Sequence, residues 1–441
     1  MKGHAVYTKC AVNLYNDPEH LSLGALIEKG TPLLVTDDKA ALNPDGTVRM
    51  SAVSAGSVSG YLRPWYLTED ISNGEDEFTR IHRQREDSLC LGGGEPGSLD
   101  YHPREKSGLP DPGPLKTILL NLDTDLSTID KFIDLIKGSG VNAFAINLSD
   151  FWTVSYESEV MQAYSPTSYR RALCSRKNFK EMVHRIKSAG LYCIGTMSAF
   201  QDTGICIDHP EWAITDVHGR NIRLDGGYWA SPYHRSVWEY KVKLAAEAAE
   251  WFGLDEIQFD YVRFPTGIWK LVSEGRIDLK NKYNENKAQA IQRFLMYAAD
   301  ILHEKGCRVS AAVFGETALD YVTSYGQYWP AISNIVDSIS AMPYCDCYSI
   351  DDWIPWEHPY ETVKQFAEAA ALRQSECPTP AKDRTWIQCY DSVKAPKVMY
   401  GPEQVQAEIN ALADGGMKGG FITFNLYGYE KYRALIRAGV L

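Results

Sequence analysis

Acidic side chains gather where short apolar runs end. The sharpest case is DEIQFDYVRFP, residues 255–265. A strand's two-residue repeat puts Glu256, Gln258 and Asp260 on one face and Ile257, Phe259 and Tyr261 on the other. Polar groups on an interior face are costly unless hydrogen-bonded, so such a column reads as part of a site, with Asp260 at its end able to give or take a proton. The competing explanation is a carboxylate buried in an ion pair with Arg263. Other runs end in the same way, at Asp123 and Asp125, Asp150 with Trp152, Asp202, Glu316, Tyr344 with Asp346, Gln388 with Asp391, and Asn425 with Tyr427.

These residues need a scaffold that brings strand ends together. Eight apolar runs read as strands: Thr117–Leu122, Ala143–Leu148, Tyr192–Met197, Glu256–Tyr261, Arg308–Phe314, Ser338–Pro343, Thr385–Cys389 and Gly420–Phe424. Amphipathic helical patterns fall between them, as at Thr128–Gly138, where Ile129, Phe132, Ile133 and Ile136 share one face. This alternation predicts an α/β fold, a (β/α)8 TIM barrel over residues 116–441, whose active site would lie at the C-terminal strand ends. A doubly wound open sheet is the alternative. Against it, the first strand is followed by NLDTDLST rather than by a glycine-rich G-x-G-x-x-G turn, and no cofactor is expected.

Ahead of the barrel, residues 1–70 read as short strands separated by turn residues, a small all-β barrel. The stretch VNLYNDPEHLSLGALIEKGTPLLVTD, followed by GSVSGYLRPWYL, resembles a bacterial SH3-like domain. Such domains bind cell-wall peptides or pack on a neighbouring catalytic domain, so a cell-wall ligand is one expectation and a spacer without ligand the other. Residues 71–115, with Gly92-Gly93-Gly94 and LPDPGP, read as a linker or a loop lying on a domain surface.

Composition narrows the chemistry. With 45 Lys+Arg against 57 Asp+Glu among 441 residues the net charge is -12, and no basic cluster suggests a nucleic-acid partner. No apolar run of membrane-spanning length occurs. The ten cysteines show no CxxC pair and no zinc spacing, so no metal site is expected. The 11 Trp and 26 Tyr supply flat faces with hydrogen-bonding edges, the kind of surface that sugars stack on.

The sequence FQDTGICIDHPEWAI, then YWASPYHRSVWEYKVKLAAEAAEWFGLDEIQFDYVRFP, is similar to the DUF4015-type glycoside hydrolase family. The likeness continues through AAVFGET, GQYW, SAMPY, TWIQCYD, YGPEQVQAEINAL and GGFITFNLYGY, in order over residues 116–435. It implies a TIM-barrel glycosidase, found outside the cell or at the cell envelope, acting on a poly- or oligosaccharide. The N-terminus has no apolar stretch of signal length, which a trimmed leader would also explain and which leaves the cytoplasm open. Glycoside cleavage normally takes two carboxyl groups. The resemblance points to a retaining mechanism with Asp260 as nucleophile at the end of strand 4 and Glu316 as acid/base at the end of strand 5.

Around them, Asp150, Trp152, Asp202, Trp229, Gln258, Arg263, Tyr344, Asp346, Gln388, Asn425 and Tyr427 are candidate substrate-binding residues, the aromatics as sugar platforms and the amides for hydroxyls. His209, ahead of Pro210, reads as a loop-shaping residue. One departure stands out. The family commonly has an acid inside strand 5, in a pattern like Ala-Asp-Val-Phe-Gly, where this chain has Ala312. Either Glu316 or another acid such as Asp150, Asp202 or Asp346 supplies the second carboxyl, or the barrel is a non-catalytic glycan- or cell-wall-binding protein.

Overall fold

A computed structural model describes residues 3–8, 12–18, 23–28, 30–42, 48–64, 67–69, 99–120, 125–350, 352–425 and 427–441. Most of the predicted linker, and Asp123, lie outside the described residues.

The N-terminal part forms an antiparallel sheet of seven strands: β1 (Ala5–Thr8), β2 (Val12–Tyr15), β3 (Leu23–Ile27), β4 (Pro32–Leu42), β5 (Val48–Ala55), β6 (Val58–Leu62) and β7 (Leu67–Thr68). Their order is β3-β2-β6-β5-β4-β1-β7. Gly56, at φ +59, makes the tight turn from β5 to β6 in a conformation other residues adopt only with strain. Alternating side chains on the inner face, among them Val6, Leu14, Leu33, Val35, Val53 and Leu62, are at most 2% exposed. Each such burial is worth about 1.5–3 kcal/mol.

The rest of the chain builds a nearly closed parallel barrel. Its strands are β8 (Leu115–Leu120), β9 (Ala143–Ser149), β10 (Tyr192–Ser198), β12 (Glu256–Asp260), β14 (Arg308–Phe314), β15 (Ser338–Met342), β16 (Lys382–Asp383), β17 (Thr385–Gln388) and β18 (Gly420–Phe424). The order β16-β15-β14-β12-β10-β9-β8-β18-β17 brings the sheet round on itself. β16 pairs with β15 and β17 with β18, and Arg384 N, between those two short strands, donates to Ile339 O at 2.9 Å. The two pieces therefore occupy one place in the ring. A small ribbon of β11 (Thr215–Asp216) and β13 (Ile277–Asp278) lies apart from it.

Helices return the chain between strands for local reasons that the sequence carries. Asp125 Oδ1 accepts from Thr128 N at 2.7 Å and starts the helix Leu126–Ile136, which buries Ile129, Phe132 and Ile136. Asn286 and Gln289 form a reciprocal cap at the start of the helix Lys287–Glu304. The helix Arg235–Phe252 stops at Gly253, at φ +68, just before β12.

Residues 99–114 are held as a strap. Gln292 Nε2 donates to Asp100 O at 2.8 Å, Asn334 Nδ2 to His102 O at 2.8 Å, and Lys106 Nζ to Ser333 O and Val336 O at 2.9 and 2.8 Å. Arg308 then bonds Pro110 O and Lys382 pairs with Asp111. Arg308 and Lys382 start β14 and β16, and Ser333, Asn334 and Val336 lie just ahead of β15, so this part of the strap runs along the barrel end opposite the mouth.

The N-terminal sheet is seated on the barrel by two buried acids. Tyr15 Oη donates to Glu211 Oε2 at 3.1 Å, and Arg63 Nη1 lies 3.5 Å from Asp208 Oδ1. Asp208 also accepts from Ser165 Oγ, Thr167 N and Thr167 Oγ1 at 2.8–3.1 Å. Between the acids, His209 stacks on Trp212 with ring centroids 3.6 Å apart, and its Nε2 lies 2.7 Å from Tyr164 O.

Candidate active site

The polar column of β12 faces the barrel interior, and each level of it meets a different partner. At the lower end, Glu256 takes both oxygens to Arg384 Nη2 at 2.7 and 2.8 Å and accepts from Tyr192 Oη at 3.0 Å and from Ser310 Oγ. One level up, Gln258 Nε2 donates to Ser340 Oγ at 2.9 Å. At the mouth stands Asp260. Burial holds its carboxyl above the usual range, opposed by the hydrogen bond from Tyr261 N and weakly by Arg263. Tyr261 N donates to Asp260 Oδ1 at 2.6 Å, and Tyr261 itself sits at φ +48. The conformation costs a residue with a Cβ on the order of 1 kcal/mol, and strain of this kind concentrates where geometry is used.

Arg263 makes its ion pair elsewhere than with Asp260. Its Nη1 meets Asp225 Oδ2 at 2.9 Å, and its guanidinium lies over the rings of Phe314, Trp229 and Tyr261 at 4.6, 4.8 and 5.4 Å. Asp225 was not singled out by the sequence; its only local signal is the Asp-Gly turn of LDGGYW. The Tyr261 hydroxyl completes the group. It is pushed up to about 12 by burial and by the nearby charges of Asp260, Asp225 and Asp150, with Arg263 acting the other way. The charges of Asp260, at the end of β12, and of Asp150, just after β9, thus both reach one hydroxyl.

Asp150 is oriented from behind. Its Oδ1 accepts from Trp152 N and Thr153 N, both at 2.7 Å, while Oδ2 has no hydrogen bond among the described residues. Burial raises this carboxyl as well, and the charge of Asp202 adds to it. Glu316 is placed differently. The short 3-10 turn Gly315–Ala318 follows β14 directly, and Tyr321 Oη and Tyr325 Oη donate to Glu316 Oε1 and Oε2 at 2.9 and 2.8 Å. Each oxygen keeps a second lone pair, so the two hydroxyls fix the carboxylate in place and favour its anion without filling it. Glu316 lines a cavity of about 390 Å³ at the ends of β14 and β15, shared with Phe314, Met342, Tyr344 and Tyr348. Tyr344 connects the two regions: its hydroxyl feels the charge of Asp260, and its ring stacks on Phe424 at 5.3 Å.

The other candidates are tied into the frame. Asp202 is 1% exposed, caps the next helix through Ile205 N at 2.9 Å and pairs with buried Lys241 Nζ at 2.7 Å. Asp346 accepts from Tyr390 Oη and Val393 N at 2.9 and 3.0 Å. Trp229 is fully buried, its indole N–H on Leu224 O at 2.8 Å. Gln388 Nε2 bonds Tyr390 O at 3.2 Å, and Asn425 holds the turn at Tyr427 N and Gly428 O at 2.8 Å each. Trp152 is half-buried under Arg171 at 4.5 Å, whereas Tyr427 is exposed. Behind β17, Glu408 accepts from Gln388 N at 2.8 Å and is pushed up to about 8 by burial. Neither Glu408 nor the tyrosine clamp on Glu316 was expected from sequence, since both depend on segments folding back onto the strand ends.

The glycosidase signature lies in this same stretch of chain. The family profile described as "Putative glycosyl hydrolase domain", DUF4015, matches residues 121–428. The chain belongs to the DUF4015 family. The motifs that suggested it therefore span the whole barrel mouth. Among solved structures, the PgaB (BpsB) glycoside hydrolase domain of Bordetella bronchiseptica aligns with 74% of this chain and 98% of its own, at 14% identity and a TM-score of 0.50. That likeness shows the fold, that of glycoside hydrolase barrels. A hypothetical protein from Ruminiclostridium thermocellum is 26% identical over 44% of this chain and 96% of its own, with a TM-score of 0.38. The spore cortex-lytic enzyme SleL of Bacillus megaterium aligns with 75% of this chain and 74% of its own, at 12% identity and a TM-score of 0.44. No curated protein matches the chain. No helix among the described residues is long and apolar enough to cross a membrane.

Proposed function

We propose that this DUF4015 protein is a glycoside hydrolase cleaving O-glycosidic bonds of a poly- or oligosaccharide, with Asp260 and Asp150 as its working carboxyl pair. The observation that carries the reading is Asp260 itself: a half-buried carboxyl of raised pKa, fixed through one oxygen by a strained neighbour, at the C-terminal end of a barrel strand. A raised carboxyl suits proton donation to the leaving oxygen. Asp150 is raised too, but two backbone N–H groups favour its anion against one for Asp260, so Asp260 is assigned the acid, where sequence alone suggested the nucleophile. Asp150, with one oxygen fixed by two backbone N–H groups and the other without a hydrogen bond, is assigned the attacking or water-activating role. Glu316, fixed by two tyrosine hydroxyls, orients the site. An SH3-like role for the N-terminal sheet and a place outside the cell or at its envelope belong to the same proposal.

The roles are separated by comparing two variants on an alkyl glycoside, whose leaving oxygen needs a proton. Asp150→Asn is expected to lower kcat by about 10²-fold or more, and Glu316→Gln by no more than about tenfold. The opposite ranking would return Glu316 to the catalytic pair.

A second reading, glycan binding without turnover, is favoured by Ala312. In the register of β12 with β14, Gln258 faces Ser310 and their side chains meet at 3.4 Å, so the next inward position on β14 is Ala312, level with Asp260. An acid there would stand beside Asp260. If the barrel has lost its second carboxyl, Ala312→Asp restores turnover to an inactive protein. If Asp150 already serves, the same change places a like charge beside Asp260 and lowers kcat by about tenfold.

A further inference from the structure

The cavity at the ends of β14 and β15 is built for more than a ring of hydroxyls. Its walls are largely apolar, with Phe314, Leu319, Met342 and Tyr344 around about 390 Å³. A sugar bearing only hydroxyls would lose hydrogen bonds to water on entering such walls. Beside the exposed Cys347 and Ser349, two polar groups stand in this lining. One is the Glu316 carboxylate, held in place by the hydroxyls of Tyr321 and Tyr325. The other is Tyr348, whose hydroxyl is buried and has no hydrogen-bond partner among the described residues. The Tyr240 hydroxyl is also buried without a partner among the described residues, but of the two only Tyr348 lines this cavity, where a ligand group could complete its bonding.

Gly315 keeps that hydroxyl where it is. A Cβ at position 315 would fall 1.9 Å from Tyr348 Oη, so only glycine lets the ring lie across the turn after β14. Glu316 is the next residue, and its charge acts on the Tyr348 hydroxyl. One acceptor and one adaptable hydroxyl therefore stand together among carbon walls, next to Tyr344, which feels Asp260.

We infer that this cavity is the subsite for a 2-acylamino sugar, resting on the hydrolase reading for the identity of its ligand as a sugar. The acyl methyl packs against Phe314, Leu319 and Met342. The amide N–H is accepted by Glu316, and the acyl carbonyl accepts from the Tyr348 hydroxyl. A hexose with a plain 2-hydroxyl leaves the apolar walls unfilled and Tyr348 unpartnered.

The test uses the full chain carrying Asp260→Asn, so that binding is read without turnover, with N-acetylglucosamine, glucosamine and glucose as probes in saturation-transfer NMR. N-acetylglucosamine is expected to bind, with its acetyl methyl the most strongly saturated group, and glucose and glucosamine to bind at least about tenfold more weakly. Adding Tyr348→Phe, which removes only an unpartnered hydroxyl and so leaves folding intact, is expected to weaken the N-acetyl sugar about tenfold and leave glucose unchanged. Gly315→Ala, which drives the hydroxyl out, reproduces that loss. Equal binding of glucose and N-acetylglucosamine, or an N-acetyl preference untouched by Tyr348→Phe, overturns the subsite. Cleavage assays on the native chain separate the two proposals. Hydrolysis of nitrophenyl glycosides without preference for the acylated sugar keeps the hydrolase and removes the subsite. Selective binding of the N-acetyl sugar with no hydrolysis of any glycoside keeps the subsite and removes the hydrolase.

Discussion

Asp260→Asn is expected to lower kcat on an alkyl glycoside, whose leaving oxygen must be protonated, by about 10³-fold, within the range that a positioned general acid supplies. Asparagine keeps the size of the side chain, and its amide oxygen can still accept from Tyr261 N, so the loss is in proton transfer and not in folding. The pH dependence follows from the direction of the shift. Burial keeps the folded-state carboxyl protonated to higher pH than the unfolded one. Its contribution to stability is thus complete below the unfolded value, near 3.9, and is lost as pH rises through the folded value. The variant should unfold with a flatter pH profile than the native chain on the acid side of neutrality. Activity of the native chain should fall on the alkaline side as Asp260 ionises. A variant that retains a tenth or more of native kcat, measured alongside an unfolding curve, would remove Asp260 from the chemistry.

The largest expected effect on stability lies at the other end of the same strand. Glu256 and Arg384 are each about 2% exposed and bonded through both carboxylate oxygens. Arg384 Nε and Nη1 have no further partner among the described residues, so Glu256 is its charge compensation. Glu256→Ala leaves a guanidinium stranded in the barrel interior and is expected to cost about 3–5 kcal/mol in urea unfolding. Replacing both, Glu256→Leu with Arg384→Leu, should recover most of that loss, because apolar pairs of similar volume fill such places at little or no net cost. If the single and double variants are equally unstable, packing around the pair matters more than its charge.

These two residues also show how far sequence periodicity reaches. The two-residue repeat of DEIQFD correctly turned Glu256, Gln258 and Asp260 to one face, because strand geometry is local. It could not tell that Glu256 would be spent on an arginine 128 residues away. Likewise Arg263 sits three residues from Asp260 yet pairs with Asp225, and Glu316 is clamped by tyrosines from its own following loop. Each of those choices is made by loops closing over the mouth, where no period operates. In the N-terminal sheet one strand carries little of the usual signal. Leu23-Gly24-Ala25-Leu26-Ile27 lacks the alternation and the β-branched content of a strand, and its glycine is there because a Cβ would meet Asn16 Oδ1 at 2.5 Å. Close approach of backbones selected a residue that weakens the very signal used to find the strand.

The stretch IDHPEW, residues 207–212, has the look of a reactive motif: a histidine flanked by two acids beside a tryptophan. In the folded chain its acids receive Arg63 and Tyr15 of the N-terminal sheet, and the histidine and tryptophan are stacked between them. The motif is thus a record of joinery. A histidine between two acids serves here as a mortise for the neighbouring sheet: the acids take a cation and a phenol from it, which occupies them in holding the two bodies together.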